Sequence, residues 1–258
     1  MIDTSRWVWE PWNGKQAGEV FWIGIDADGR KWLVKMRGGF YALRERAFAR
    51  LAHLVGVLTQ ESAFVVLSST SPPIVQSPGK EPYQVALKLM APHAGGPCAE
   101  GCPLESFLND LESVPDPAGM LAASGLPGAT GWVKADFLAD MFGANESSER
   151  FLTSSHECTL VDNEQHFAVR STWTGDSPWL RRQDGSPSEI AENLLLDLSA
   201  DVAALTSDNL AALVAVPKGF TASALWPLLP VLRRGVEVAA LISRNGRSGL
   251  RELQNREV

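Results

Sequence analysis

Only three cysteines occur in 258 residues. An odd, small number excludes a dense disulfide framework and suits a reducing cytoplasm. Long apolar runs are missing as well. The richest stretches are broken by Asp, Arg or Pro before reaching the ~18–20 residues that span a bilayer, so no membrane span is expected. The opening residues Met1 to Trp7 contain no cationic start followed by an apolar segment, so no signal peptide is expected. Positive charge is in deficit: the formal net charge is −7. That balance excludes general nucleic-acid binding by charge alone. Tyrosine is scarce, two against nine tryptophans. Gly-x-Ser-x-Gly, His-Glu-x-x-His and Walker-type phosphate loops are absent from the sequence. What is present is ordinary globular composition, 45% hydrophobic and 21% charged, which excludes wholesale disorder.

The first third of the chain reads as strands around one helix. Glu19 to Ile25 is β-rich and ends at Asp26-Ala27-Asp28-Gly29, a hairpin signal. This turn opens like a calcium loop, but no Glu closes it at the twelfth position. Lys31 to Met36 is the returning strand. From Tyr41 to Val55 the period changes: Leu43, Ala47, Leu51 and Leu54 recur at three or four residues, and Gly56 closes the helix. Phe64 to Leu67 and Tyr83 to Met90 are further strands, with a Ser/Pro-rich loop between them. Beyond a Gly/Pro-rich linker the pattern turns helical: Leu104 to Leu111, Gly131 to Gly143, Ile190 to Ala204, Asp208 to Val214 and Ala222 to Ser243. Thr159 to Val161 is a short strand, and Ser171 to Pro187 a polar loop with two tryptophans. The expectation is a strand-rich lobe over 1–90, a hinge over 91–103 and a helical lobe over 104–258, with a ligand cleft between the lobes.

Several residues carry chemistry by type and place. Gly14 and Gly18 flank Lys15-Gln16-Ala17 before the first long strand, where glycines let backbone amides approach phosphate oxygens. An ordinary hairpin uses the same residues. Lys35 sits in the apolar strand Trp32-Leu33-Val34-Lys35-Met36, and a buried ammonium needs an anionic partner. Glu45 lies on the helix that follows and is a candidate for that partner; a solvated surface Glu is the alternative. Asp162 ends the strand Leu160-Val161, a good position for a divalent metal ligand or for a turn.

The order of these features resembles the protein-kinase-like fold, and most closely its HipA-like and phosphatidylinositol 3/4-kinase-like branch. Glu45 to Val57 looks like that branch's Glu-containing helix with its Leu-Leu-Gly-Ile/Val ending. Val161-Asp162-Asn163-Glu164-Gln165-His166-Phe167 looks like its metal-binding segment. The resemblance implies an α+β, two-lobed kinase-like fold with a small β-rich lobe and a mostly helical lobe. It implies ATP and Mg²⁺ as cofactors, with Lys35 on the nucleotide phosphates, Glu45 holding Lys35, Asp162 on magnesium and Met90 leading into the adenine hinge. A protein or small-molecule substrate would follow, its identity unread.

The resemblance breaks at the catalytic loop. Where the branch carries Asp-Arg-His-x-x-Asn, this chain reads Asn145-Glu146-Ser147-Ser148-Glu149-Arg150. Asn145 takes the place of the Asp, Glu146 that of the Arg, and Arg150 that of the metal-binding Asn. Asn accepts no proton as a carboxylate does, and the permanent charge of Arg repels a cation. Two readings stay open: a pseudokinase that binds nucleotide or a partner without efficient transfer, and an enzyme in which Glu146, Glu149 or Asp140 supplies the carboxylate. A non-catalytic binding module that keeps the fold is the rival from another class. His93, Cys98 and Cys102, with His156 or Cys158, are weighed as a zinc set against plain loop residues. Trp173 and Trp179 fall where the resemblance puts an activation segment. Exposed they would suit a partner; burial against the helical lobe is the alternative.

Overall fold

The computed structural model describes residues 2–11, 22–35, 39–66, 83–88, 114–143, 149–152, 158–161, 167, 173, 175–216 and 228–254. Six strands form one sheet: β1 (Ile2–Asp3), β2 (Val8–Pro11), β3 (Trp22–Ile25), β4 (Lys31–Lys35), β5 (Ser62–Val66) and β6 (Tyr83–Lys88), in the order β1-β5-β6-β4-β3-β2. All pairings in it are antiparallel except β1 with β5. The strands β1 and β2 are not foreseen by pattern, being short and mixed in polarity. The turn between β3 and β4 is built on the Asp26 carboxylate, which accepts hydrogen bonds from Asp28 N, Arg30 N, Arg30 Nε and Trp32 Nε1. Burial acts to raise this carboxyl, but those hydrogen bonds, Trp32's first, outweigh it and hold the pKa down at about 2.

Strand alternation divides the sheet's two faces. Trp32, Val34 and Val65 point to one side and pack with Trp7, whose ring stacks on Trp32 at 6.0 Å and 20°. Gly24 lies under Trp7, and a Cβ there would run into the indole ring. Leu33 and Phe64 point to the other side, into the main core. There α1 (Gly39–Leu54) packs against β5 and β6, burying Leu43, Ala47, Phe48 and Leu51. Gly56 ends this helix with φ +73, the left-handed conformation that glycine adopts freely.

The second half of the chain is helical. Its elements are α2 (Pro117–Ala123), α3 (Ala129–Phe142), a hairpin of β7 (Glu149–Leu152) and β8 (Cys158–Val161), α4 (Glu189–Ala203), α5 (Ser207–Leu213), α6 (Leu228–Asn245) and α7 (Arg247–Gln254). The expected helices at 131–143, 190–204 and 208–214 correspond to α3, α4 and α5, and the later part of the one at 222–243 to α6. The expected helix at 104–111 lies outside the described residues, while α2 and α7 are too short and mixed to announce themselves. The caps are legible in chemical terms. Thr206 and Asn209 form a reciprocal capping box on α5. Asp116 caps α2 through Gly119 N and also accepts from Ser188 Oγ, the N-cap of α4, at 2.9 Å, so one carboxylate ties two helix starts together. Gly235 sits inside α6 at a helix-propensity cost because a side chain there would collide with the Phe142 ring. No helix among the described residues is long and apolar enough to cross a membrane.

One hydrophobic core runs through both halves. It joins Phe48 and Leu51 of α1 to Phe137, Leu138 and Phe142 of α3, Leu198 of α4 and Leu232 and Ile242 of α6. The architecture is α+β and two-lobed, a small sheet lobe against a mostly helical one.

Candidate functional site

Lys35 is the last residue of β4 and its backbone pairs with Val85 of β6. Leu33, two residues before it on β4, packs into the main core on the side where α1 lies. Glu45 is on α1 and only 1% exposed. This is not the solvated surface Glu of the alternative reading, since a carboxyl so enclosed persists only with partners. Asp162 directly follows Val161, the last residue of β8. Arg150 is the second residue of β7 and its backbone pairs with Leu160 of β8, so it stands in a hairpin ladder. Gly14, Gly18, Met90, Asn145, Glu146 and Asp162 themselves lie outside the described residues, as do the hinge 91–103 and His93, Cys98, Cys102 and His156. Among the described residues, no three His, Cys, Asp or Glu side chains gather as a metal site.

Phe167, in the same segment as Asp162, is fully buried. Its ring meets Phe48 of α1 edge-on at 5.8 Å and Phe142 of α3 edge-on at 5.9 Å. Its backbone is left-handed, φ 61, a conformation uncommon for a bulky residue. Phe167 is thus held by its ring between a helix of the sheet lobe and a helix of the other lobe. Sequence reading placed Phe167 in the resembling segment but assigned it no part.

A second tie joins the lobes. Arg46 and Arg50, one turn apart on α1, donate to Ala215 O at 3.2 Å and Ala212 O at 2.8 Å. These carbonyls end α5, where a cation complements the helix dipole. Arg46 also lies over the Phe64 ring at 4.8 Å. Burial first, and then the neighbouring Arg50 charge, lower its pKa to about 10, which leaves it fully charged near neutral pH.

Trp173 and Trp179 are turned inward. Trp179 is 9% exposed and its Nε1 donates to Asp136 of α3 at 2.7 Å. Trp173 is half-buried against the core, its Nε1 donating to Asp176 O at 2.8 Å. The backbone of the loop is stitched down as well, Gln183 N donating to Pro115 O at 2.9 Å. Of the two alternatives for these tryptophans, burial is the one observed.

Asp140 lies one turn beyond Asp136, three residues before Gly143 ends α3. Burial, and then the Asp136 charge, push its carboxyl up to about 7. A raised carboxyl favours the folded state fully only below its ordinary value of 3.8. That contribution is lost as the pH climbs through about 7. Asp140→Asn should therefore flatten the fall of stability between pH 4 and pH 7. Urea unfolding followed across that range checks it; an unchanged slope would assign the pH dependence elsewhere.

The arrangement of sheet lobe, buried-Glu helix, helical lobe and β7–β8 hairpin is that of a two-lobed protein-kinase-like fold. The same fold is seen in the crystal structure of a Helicobacter pylori proinflammatory kinase, CtkA. The two align with a TM-score of 0.58 over 98% of this chain and 99% of that one, at 10% sequence identity. At that identity the likeness is one of fold. No family model and no curated protein matches the chain.

Proposed function

We propose that the chain is a cytoplasmic, ATP- and Mg²⁺-binding kinase-like protein of the HipA-like and phosphatidylinositol 3/4-kinase-like branch, with weak conventional phosphoryl transfer. The sheet lobe is 1–90, the hinge 91–103 and the helical lobe 104–258. The observation that carries the reading is the burial of Glu45 on α1 beside the sheet that contains Lys35. In this reading Glu45 orients Lys35, and Lys35 holds the nucleotide phosphates. Gly14 and Gly18 bring backbone amides to the same phosphates, Met90 borders the adenine and Asp162 holds magnesium, which supplies charge neutralisation when bound. Asn145 offers no carboxylate to an acceptor hydroxyl, and Arg150 supplies positive charge where the branch has a metal ligand. The acceptor is a protein side chain or a small molecule.

One observation favours a more active second reading. Asp140, near pKa 7 and one turn from the end of α3, has the proton affinity of a general base. In that version it, Glu146 or Glu149 replaces the missing carboxylate.

Thermal unfolding of the whole chain with ATP, with and without Mg²⁺, tests the proposal. Binding raises the melting temperature by mass action. Lys35→Met should weaken binding by about tenfold, the worth of a charge-assisted contact. Asp162→Asn should chiefly remove the magnesium dependence. No shift with ATP, or the same shift in both variants, sinks the nucleotide site. Fast phosphate release that collapses in Asp140→Asn would establish the second reading.

A further inference from the structure

Away from the proposed cleft, the helical lobe contains a cavity of about 120 Å³ between the loop after β8, the start of α4 and the terminal helix α7. At roughly 30 Å³ for one water, it has room for a tetrahedral oxyanion. Three guanidinium groups line it: Arg181 from the loop, and Arg247 and Arg251 one turn apart on α7. Two carboxylates, Asp176 and Glu192, also line it, so one positive charge is left over in a chain of net charge −7.

The pairing is uneven. Arg247 Nε is held by Glu192 Oε2 at 2.7 Å. Arg181 Nε reaches Asp176 Oδ1 only at 3.9 Å, beyond hydrogen-bond length. Arg251 has no hydrogen bond or ion pair among the described residues and lies four positions from another Arg on the same helix face. Like charges at that spacing are mutually unfavourable. Arg251, and Arg181 with only a long ion pair to give up, can therefore turn toward one guest, while Glu192 keeps the third in place.

We propose that this cavity is a binding site for a phosphoryl monoester or free phosphate, with Arg181 and Arg251 as its principal contacts. Planar guanidiniums pair with oxyanions through two parallel N–H donors. Donors arriving from separate walls suit a tetrahedral group, whose oxygens point in three dimensions, better than a flat carboxylate. Arg247, fixed by Glu192, contributes charge. The site is independent of the nucleotide reading, since none of its residues belongs to that cleft.

Calorimetric titration of the full chain with inorganic phosphate, O-phosphoserine and a phosphoserine peptide tests it, with acetate at equal ionic strength as the flat-anion control. Phosphate should bind and acetate should not. Arg181→Gln combined with Arg251→Gln should weaken phosphate at least about tenfold. Tighter binding of the peptide would assign the site to phosphorylated proteins; equal binding would assign it to free phosphate. Equal affinity in wild type and double variant, or acetate binding as well as phosphate, would overturn the proposal. Arg251→Gln alone, on an exposed side chain without a partner among the described residues, carries the test should the double variant fail to fold.

Discussion

Phe167→Ala is expected to remove about 3–5 kcal/mol of folding stability, the usual cost of truncating a fully buried phenylalanine. Its ring contacts account for part of that loss. Edge-on aromatic pairs contribute about 0.5–1.5 kcal/mol each beyond burial, and Phe167 makes two, with Phe48 and Phe142. The hole would be slow to close because the neighbouring rings belong to different elements and Gly235 already lets α6 approach Phe142 closely. Phe167→Leu should recover a good share of the loss. Urea unfolding of the three proteins measures both steps; a loss below about 1 kcal/mol for the alanine variant would show that the ring is not a keystone. Under the proposed function, the same variant should also loosen Mg²⁺-dependent nucleotide binding, because Asp162 precedes Phe167 closely in the chain.

The second large effect is expected at Glu45. If Lys35 is its partner, Lys35→Met strands a carboxylate that is 1% exposed, at a cost of about 3–5 kcal/mol. Replacing both, Lys35→Met with Glu45→Leu, should restore most of the stability, since a buried ion pair exchanged for apolar groups is often neutral or better. The double-mutant cycle isolates the coupling from the two single losses. Additive effects would mean that Glu45 is satisfied by another group and that Lys35 serves a separate purpose. The cycle needs no ATP, so it examines the pair even if the nucleotide assignment fails.

Much of the architecture was legible in the sequence where periodicity is strong. The Leu43–Ala47–Leu51 stripe announced α1, the apolar run Trp32–Val34 announced β4, and Asp26 to Gly29 announced the turn before it. The strands β1 and β2 were not legible because two to four residues of mixed polarity carry no period; long-range pairing with β5 and β3 makes them strands. The hairpin strand β7 was hidden for a similar reason: Glu149 and Arg150 are charged, and it is backbone pairing with β8 that makes them a strand. The candidate site was legible as residue types in order, Lys35 then Glu45 then Asp162. Burial of Glu45 is a tertiary fact and follows from no local signal. The Trp179–Asp136 hydrogen bond joins residues 43 positions apart, and the raised Asp140 carboxyl follows from burial first; no local pattern in the sequence announces either.

The anchoring of α1 by Arg46 and Arg50 bears on how such a protein could evolve. By chain order α1 belongs to the sheet lobe, yet its guanidiniums finish a helix of the other lobe and its apolar face fills the shared interior. The helix therefore has two landlords. A substitution tolerated by the sheet must also be accepted by α5 and α3, so drift in one lobe constrains drift in the other. The sheet lobe is accordingly a poor candidate for exchange with that of a distant relative: a grafted sheet would bring its own α1, and with it cations in the wrong register for the carbonyls of Ala212 and Ala215.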